Sequence, residues 1–131
     1  MDLEVTSGTI ATLLEEATRA DPLECCGVLL GEGSRIGQAL PAANVHPDPA
    51  RHFEIDPAVL IAAHRAARAG GPQVLGYYHS HPNGRAGPSD EDFAMAERAG
   101  RFWAIIANGA VLWWRDGANG FERLSSRVVD G

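Results

Sequence analysis

The chain has 131 residues, 45% of them hydrophobic, with 11 basic against 17 acidic side chains and a formal net charge of −6. That length suits a single domain over residues 1–131, and the apolar content suffices for a packed core, which excludes a disordered chain. The arginines are scattered and form no basic cluster, so nucleic acid is not an expected partner, and no apolar run approaches the length of a membrane span.

The N-terminus, Met1-Asp2-Leu3-Glu4, is acidic and lacks a signal-peptide pattern, so a soluble cytoplasmic protein is expected. Leu3-Glu4-Val5 predicts a short opening strand. Ile10, Leu13, Leu14 and Ala17 recur at helical spacing, with Ser7 or Thr9 as the expected cap and Asp21-Pro22 as the end. Cys25 to Leu30 is a continuous apolar run and predicts a buried strand. Cys25 and Cys26 are adjacent and are the only cysteines, so no disulfide framework exists, which favours a reducing compartment. Both thiols are expected to pack in the core.

Gly31 to Ser34 predicts a turn and Arg35 to Leu40 a return strand, together a hairpin. Pro41 to Arg51 holds three prolines and predicts a loop. His52-Phe53-Glu54-Ile55 alternates and predicts a strand. Asp56-Pro57 starts a helix that runs through the alanine-rich stretch to Ala69 and closes at Gly70-Gly71. Gln73 to His79 predicts the next strand, Pro82 to Pro88 a loop, and Ser89 to Ala99 a helix. Phe102 to Ala107 and Val111 to Trp114 predict strands joined by the tight turn Asn108-Gly109, with a further strand over Phe121 to Leu124. Trp113 and Trp114 are neighbours on a strand, so they must face opposite sides. The pattern is a mixed α/β domain whose hairpins require a mixed sheet flanked by helices.

Chemistry concentrates between His79 and Asp92. Side chains alternate on a strand, so His79 and His81 project from one face and Ser80 from the other. Two imidazoles on one face can hold one divalent ion. Asp92, in the first turn of the following helix, can swing back as a third ligand. Catalytic zinc sites have three protein ligands and leave a fourth position to water, whereas structural sites close all four. A hydrolase of this kind also needs a base, and Glu24, an acidic residue at the mouth of an apolar strand, is the candidate. Ser89 shares a helix face with Asp92, and its hydroxyl can donate to an oxyanion.

Glu24, then His79-Ser80-His81, seven residues, Ser89, two residues and Asp92 together resemble the JAMM (MPN+) metallopeptidase motif. The stretches Pro22 to Gly31, Phe53 to Pro57 and Gly76 to Pro82 are similar to those of its short prokaryotic members, and the likeness runs from about Leu23 to Trp114. The resemblance implies a cytidine-deaminase-like α/β fold of the JAB1/MPN type. It implies zinc on His79, His81, Asp92 and a water, with Glu24 as general acid/base and Ser89 as oxyanion donor. It also implies isopeptidase or peptidase action after the C-terminal Gly-Gly of a ubiquitin-like or sulfur-carrier protein. Such a tail would most simply bind as an added strand along an exposed sheet edge.

Plainer readings stand beside these. Ser89-x-x-Asp92 is also a capping-box pattern. Glu24 could be an exposed strand-start residue. A non-catalytic module that holds a partner through a metal-stabilised fold is the alternative to an enzyme. A zinc deaminase would need a cysteine pair spaced as P-C-x-x-C, which Cys25-Cys26 does not provide.

Overall fold

The structure, a computed structural model, describes residues 2–131. Strand β1 (Asp2–Thr6) leads directly into helix α1 (Ser7–Ala20). Thr6, not Ser7 or Thr9, is the cap: its Oγ1 accepts from Thr9 N–H at 3.3 Å. Thr6 is the last extended residue, so its hydroxyl meets the free N–H groups of the first turn, whereas Ser7 and Thr9 are already helical. Strands β2 (Cys26–Glu32) and β3 (Arg35–Ala42) form the expected antiparallel hairpin.

The expected strand over His52 to Ile55 is absent; only Ile55 bridges to Asn44. Its alternation has a different cause. Phe53 and Ile55 enter a buried cluster with Cys26 and Trp103, while the backbone bonds go to Asn44 and Val45 of the preceding loop. Asp56 caps helix α2 (Pro57–Arg68) by accepting from Ala58 N–H at 3.0 Å, with Pro57 at the first helical position.

Strand β4 (Gln73–Ser80) precedes helix α3 (Asp90–Met95). This helix is shorter than the expected Ser89 to Ala99. Ala96 is already extended and Arg98 adopts a left-handed φ of 58°, because the chain must turn to enter strand β5 (Phe102–Ala107). Asn108 and Gly109, both at positive φ, turn β5 into strand β6 (Ala110–Gly117). Strand β7 (Gly120–Val129) outruns the expected Phe121 to Leu124, because its second half pairs in parallel with β1, from Asp2↔Ser125 to Thr6↔Val129.

That last pairing closes the sheet. The strand order is β1-β3-β2-β4-β5-β6-β7, and the ring returns from β7 to β1. Pairs β1–β3, β1–β7 and β4–β5 are parallel and the others antiparallel, so the sheet is mixed as expected. Closure also means that an incoming strand finds no terminal strand of the sheet to extend.

Strand residues alternate between two environments. Leu29, Tyr78, Ala104, Ile106 and Trp113 face a core against which Ile10, Leu14 and Ala17 of α1 pack. Val28, Leu30 and Val74 meet Ala63 of α2 on the other side, and Cys26 and Trp103 join Phe53 and Ile55. Trp113 and Trp114 divide between the two faces. Gly76 lets β4 and β5 approach: a Cβ there would stand 1.7 Å from the Phe102 carbonyl oxygen. Among the described residues, no helix is long and apolar enough to cross a membrane.

Candidate functional site

The site lies at the end of β4, on the face turned away from α1. The antiparallel register of β2 on β4 sets Cys26 opposite His79 and Gly27 opposite Tyr78. Continued by two residues, the same register brings Glu24 across from His81. Two bonds secure that continuation. Ser80 N–H donates to the Cys25 carbonyl at 3.1 Å, and Cys25 N–H donates to Ser80 Oγ at 2.9 Å. The middle residue of His79-Ser80-His81 thus fastens the chain that carries Glu24. On the other flank, His81 N–H donates to the Ile106 carbonyl at 2.9 Å, carrying the β4–β5 pairing past the end of the strand.

The two imidazoles are oriented differently. His81 Nδ1 lies 2.8 Å from the Arg85 carbonyl, to which it can only donate, so it is at Nε2 that the neutral ring carries its lone pair. The turn that supplies this carbonyl folds back because Gly84 N–H donates to the His81 carbonyl and Arg85 N–H to Asn83 Oδ1, both at 2.9 Å. His79 is fully buried and its Nδ1 has no partner. Its ring is held by packing instead. Phe53 stacks on it at 4.3 Å and 15°, and Trp103 stands edge-on at 5.7 Å. Trp103 is itself fixed by its Nε1–H donating to the buried Asp116 carboxylate at 3.0 Å.

Asp92 returns from α3. It is 2% exposed, with one carboxylate oxygen accepting from Ser89 N–H at 2.8 Å while Ser89 Oγ accepts from Asp92 N–H at 3.1 Å. The capping box is therefore present, and it aims the Asp92 carboxylate. That carboxylate lies 3.2 Å from His79 Nε2 and 3.3 Å from His81 Nε2, and the two Nε2 atoms are 2.9 Å apart. Ligands held 2.0–2.1 Å from a tetrahedral ion stand about 3.3 Å from one another, so these three donors fit one small divalent cation. The Glu24 carboxylate belongs to the same group: its oxygen and a nitrogen of each histidine all lie within 4.8 Å of one another.

Titration behaviour separates the two carboxylates. Burial pushes Asp92 up, but hydrogen bonds from His79 and His81 prevail and hold it well below the usual carboxylate range. Glu24 is pushed up to about 7, chiefly by burial; His81 opposes the rise and Asp92 adds to it. Burial lowers His79. Burial also acts to lower His81, but the Asp92 carboxylate and the Arg85 carbonyl outweigh it and raise the ring. One carboxylate stays charged against the imidazoles while the other titrates near neutrality.

All five residues singled out in the sequence come together. Glu24, His81, Ser89 and Asp92 line one cleft of about 70 Å³, and His79 sits behind it. Glu24 is buried, which sets aside the exposed strand-start reading. A larger groove of about 480 Å³ on the α1 side includes Ser80 and His81 but none of Glu24, Ser89 or Asp92. Cys25 and Cys26 are buried free thiols, and burial pushes Cys26 up to about 12.

Sequence reasoning missed the supporting residues. Asn44 uses its whole amide: it donates to the carbonyls of Glu24 at 3.0 Å and His52 at 2.9 Å, and accepts from the N–H groups of His46 and Glu54. An asparagine in a proline-rich loop signals only a turn, so nothing in the sequence marked this one as the anchor of Glu24.

A closed mixed sheet with a buried His-His-carboxylate cluster at one strand end describes a JAB/MPN-type domain. The chain matches Prok-JAB, the prokaryotic homologs of the JAB domain, over residues 6–116 and belongs to that family. It is 33% identical over 95 residues to a desampylase of Haloferax volcanii, covering 71% of this chain and 68% of that one. It is 35% identical over 114 residues to a probable TtuB-protein conjugate cleaving protease of Thermus thermophilus, covering 86% and 68%. The CysO-cysteine peptidase of Mycobacterium tuberculosis is 28% identical over 131 residues, covering 98% and 84%. Among solved structures, protein DSY2949 of Desulfitobacterium hafniense superposes with a TM-score of 0.84 at 26% identity, over 98% of this chain and 94% of that one. A JAB1/MPN domain protein of Archaeoglobus fulgidus superposes at 0.66 with 23% identity, over 98% of each chain, and supports the fold alone.

Proposed function

We propose that this protein is a zinc-dependent hydrolase of the JAMM type. Its substrate is a ubiquitin-like or sulfur-carrier protein, or an adduct of one, cleaved after the C-terminal Gly-Gly. The observation that carries the reading is the convergence of His79 Nε2, His81 Nε2 and the Asp92 carboxylate at 2.9–3.3 Å, with Glu24 beside them. The names of the three curated relatives, a desampylase, a probable TtuB-protein conjugate cleaving protease and a CysO-cysteine peptidase, support the substrate class. The two buried free thiols fit a reducing, cytoplasmic setting.

His79, His81 and Asp92 would hold the zinc, and a donor set of two borderline imidazoles and one carboxylate suits it. When bound, zinc supplies Lewis-acid polarisation of the scissile carbonyl and a water acidified toward neutral pH. The protein's own groups do the rest. The Glu24 carboxylate, poised near neutrality, takes the proton of the attacking water and gives it to the leaving amine. The Ser89 hydroxyl donates to the carbonyl oxygen as negative charge develops there. Ser89 accepts a bond from Asp92 N–H, which leaves its own proton free for that donation. The Gly-Gly tail would reach the cleft lined by Phe53, Asn83 and the site residues, whose volume of about 70 Å³ suits a segment without side chains.

The test is Glu24→Gln with a carrier-protein adduct as substrate. The variant should keep its zinc and lose cleavage. A fully active variant removes Glu24 from the chemistry. A wild-type protein that binds zinc yet turns over no such adduct favours the partner-holding module instead.

A further inference from the structure

We infer that the protein has a second site for a transition-metal cation, formed by His46, His52 and Glu91 at the outer rim of the cleft. Ligand atoms of these three residues all lie within 4.8 Å of one another. None of the three takes part in the chemistry assigned above. Each is partly buried. The two imidazole rings tilt toward each other with centroids 4.8 Å apart.

The three residues come from two segments, one loop and helix α3, that the fold brings together. His46 and His52 flank the Pro47 to Arg51 turn, and the Asn44 amide ties both ends of it, accepting from His46 N–H and donating to the His52 carbonyl. The turn itself is closed by Arg51 and His52 N–H groups donating to the Asp48 carbonyl. Glu91 comes from α3, one residue before Asp92. His52 Nδ1 and Glu91 Oε2 are in direct contact. An imidazole nitrogen and a carboxylate oxygen that face each other present the lone pairs a metal ion needs.

The donor set defines the class of ion. Two imidazole nitrogens and one carboxylate oxygen suit Zn²⁺, Co²⁺ or Ni²⁺, whereas Mg²⁺ and Ca²⁺ require mostly oxygen ligands. The affinity is lower than at the inner cluster, for a reason the structure supplies. His46 Nδ1 accepts from Asp48 N–H at 2.9 Å. Coordination through Nδ1 displaces that bond. Coordination through Nε2 moves the ring proton to Nδ1 and abolishes it as well. The inner donors need no such rearrangement at His81, whose Nδ1 already donates to a carbonyl.

The experiment is a titration of metal-free protein with Co²⁺ alone, read by visible absorption and by metal content after gel filtration. The wild type should take up two equivalents, the second at least tenfold more weakly. His46→Ala/His52→Ala should take up one, with the tight phase unchanged. His79→Ala/His81→Ala should also take up one, with only the weak phase remaining. This last variant separates the inference from the reading of the inner site, because the weak phase does not depend on it. A wild type that binds a single equivalent overturns the inference. So does a His46→Ala/His52→Ala protein that still binds two, or a weak phase that excess Ca²⁺ removes.

Discussion

Ser80 Oγ accepts from the N–H of Cys25 at 2.9 Å, and this bond joins the strand that carries the histidines to the residue beside Glu24. An antiparallel pair would ordinarily use a carbonyl at this point, and here a hydroxyl substitutes for it. The two faces of His79-Ser80-His81 therefore have separate duties. One face presents imidazoles to the cleft, and the other fixes the neighbouring chain.

Ser80→Ala leaves the Cys25 N–H buried without a partner. We expect a loss of about 1–3 kcal/mol in stability, measured by chemical denaturation. Zinc content should stay near that of the wild type, because neither imidazole is touched. The turnover rate should fall instead, because Glu24 loses the clamp next to it. A variant that loses zinc but turns over normally per bound metal would contradict this assignment.

Glu24 is expected to make the metal-free protein less stable as pH rises. Its folded-state pKa is raised from 4.5 to about 7, so the fold favours the protonated form. The stabilisation is complete below about pH 4.5, where both states are protonated, and is lost as pH rises through 7. One pH unit of such a difference is worth about 1.4 kcal/mol, so the full change approaches roughly 3 kcal/mol. Denaturation of metal-free wild type and Glu24→Gln at pH 5 and pH 8 isolates the effect. The wild type should lose more stability between the two pH values than the variant. Equal slopes would place Glu24 in water.

The parts of this structure that follow local rules were legible in the sequence. Asp56-Pro57 and Asn108-Gly109 carry their own conformational instructions, and α2 and the β5–β6 turn fall where those residues put them. His79, His81, Ser89 and Asp92 were legible because alternation on a strand and spacing on a helix fix their faces, whereas Glu24 stood out only as an acidic residue at the mouth of an apolar strand. What failed depended on distant partners. Phe53 and Ile55 alternate like a strand, yet their segment pairs only at Ile55, because the Asn44 side chain takes the backbone bonds of His52 and Glu54. The closure of the sheet depends on β7 reaching β1 across 123 positions, which no local pattern encodes.

Phe53 is expected to control how firmly the inner site holds its metal. His79 has no hydrogen bond at Nδ1, so the Phe53 stack and the Trp103 edge set its angle. Phe53→Ala removes the stack and opens a cavity, at a cost of about 3–5 kcal/mol. Phe53→Leu refills most of the volume without the flat face. Zinc affinity, measured by competition with a chelator, should drop in both variants, while stability recovers substantially in the leucine one. If affinity in Phe53→Leu matches the wild type, the aromatic face does not orient His79.

Ser89 has two roles that substitution can separate. Its Oγ caps α3 by accepting from Asp92 N–H, and its hydroxyl proton is the proposed donor to the oxyanion. Ser89→Ala removes both and should cost about 1 kcal/mol of stability along with activity. Ser89→Gly is more informative, because glycine at a cap costs only a few tenths of a kcal/mol and still lets Asp92 accept from the backbone N–H. The glycine variant should therefore fold and bind zinc like the wild type. Its turnover should nevertheless fall by about 10²–10³-fold, the usual loss when one oxyanion donor is removed, with KM little changed. A glycine variant of near-normal turnover would reduce Ser89 to a helix cap whose function is to aim Asp92.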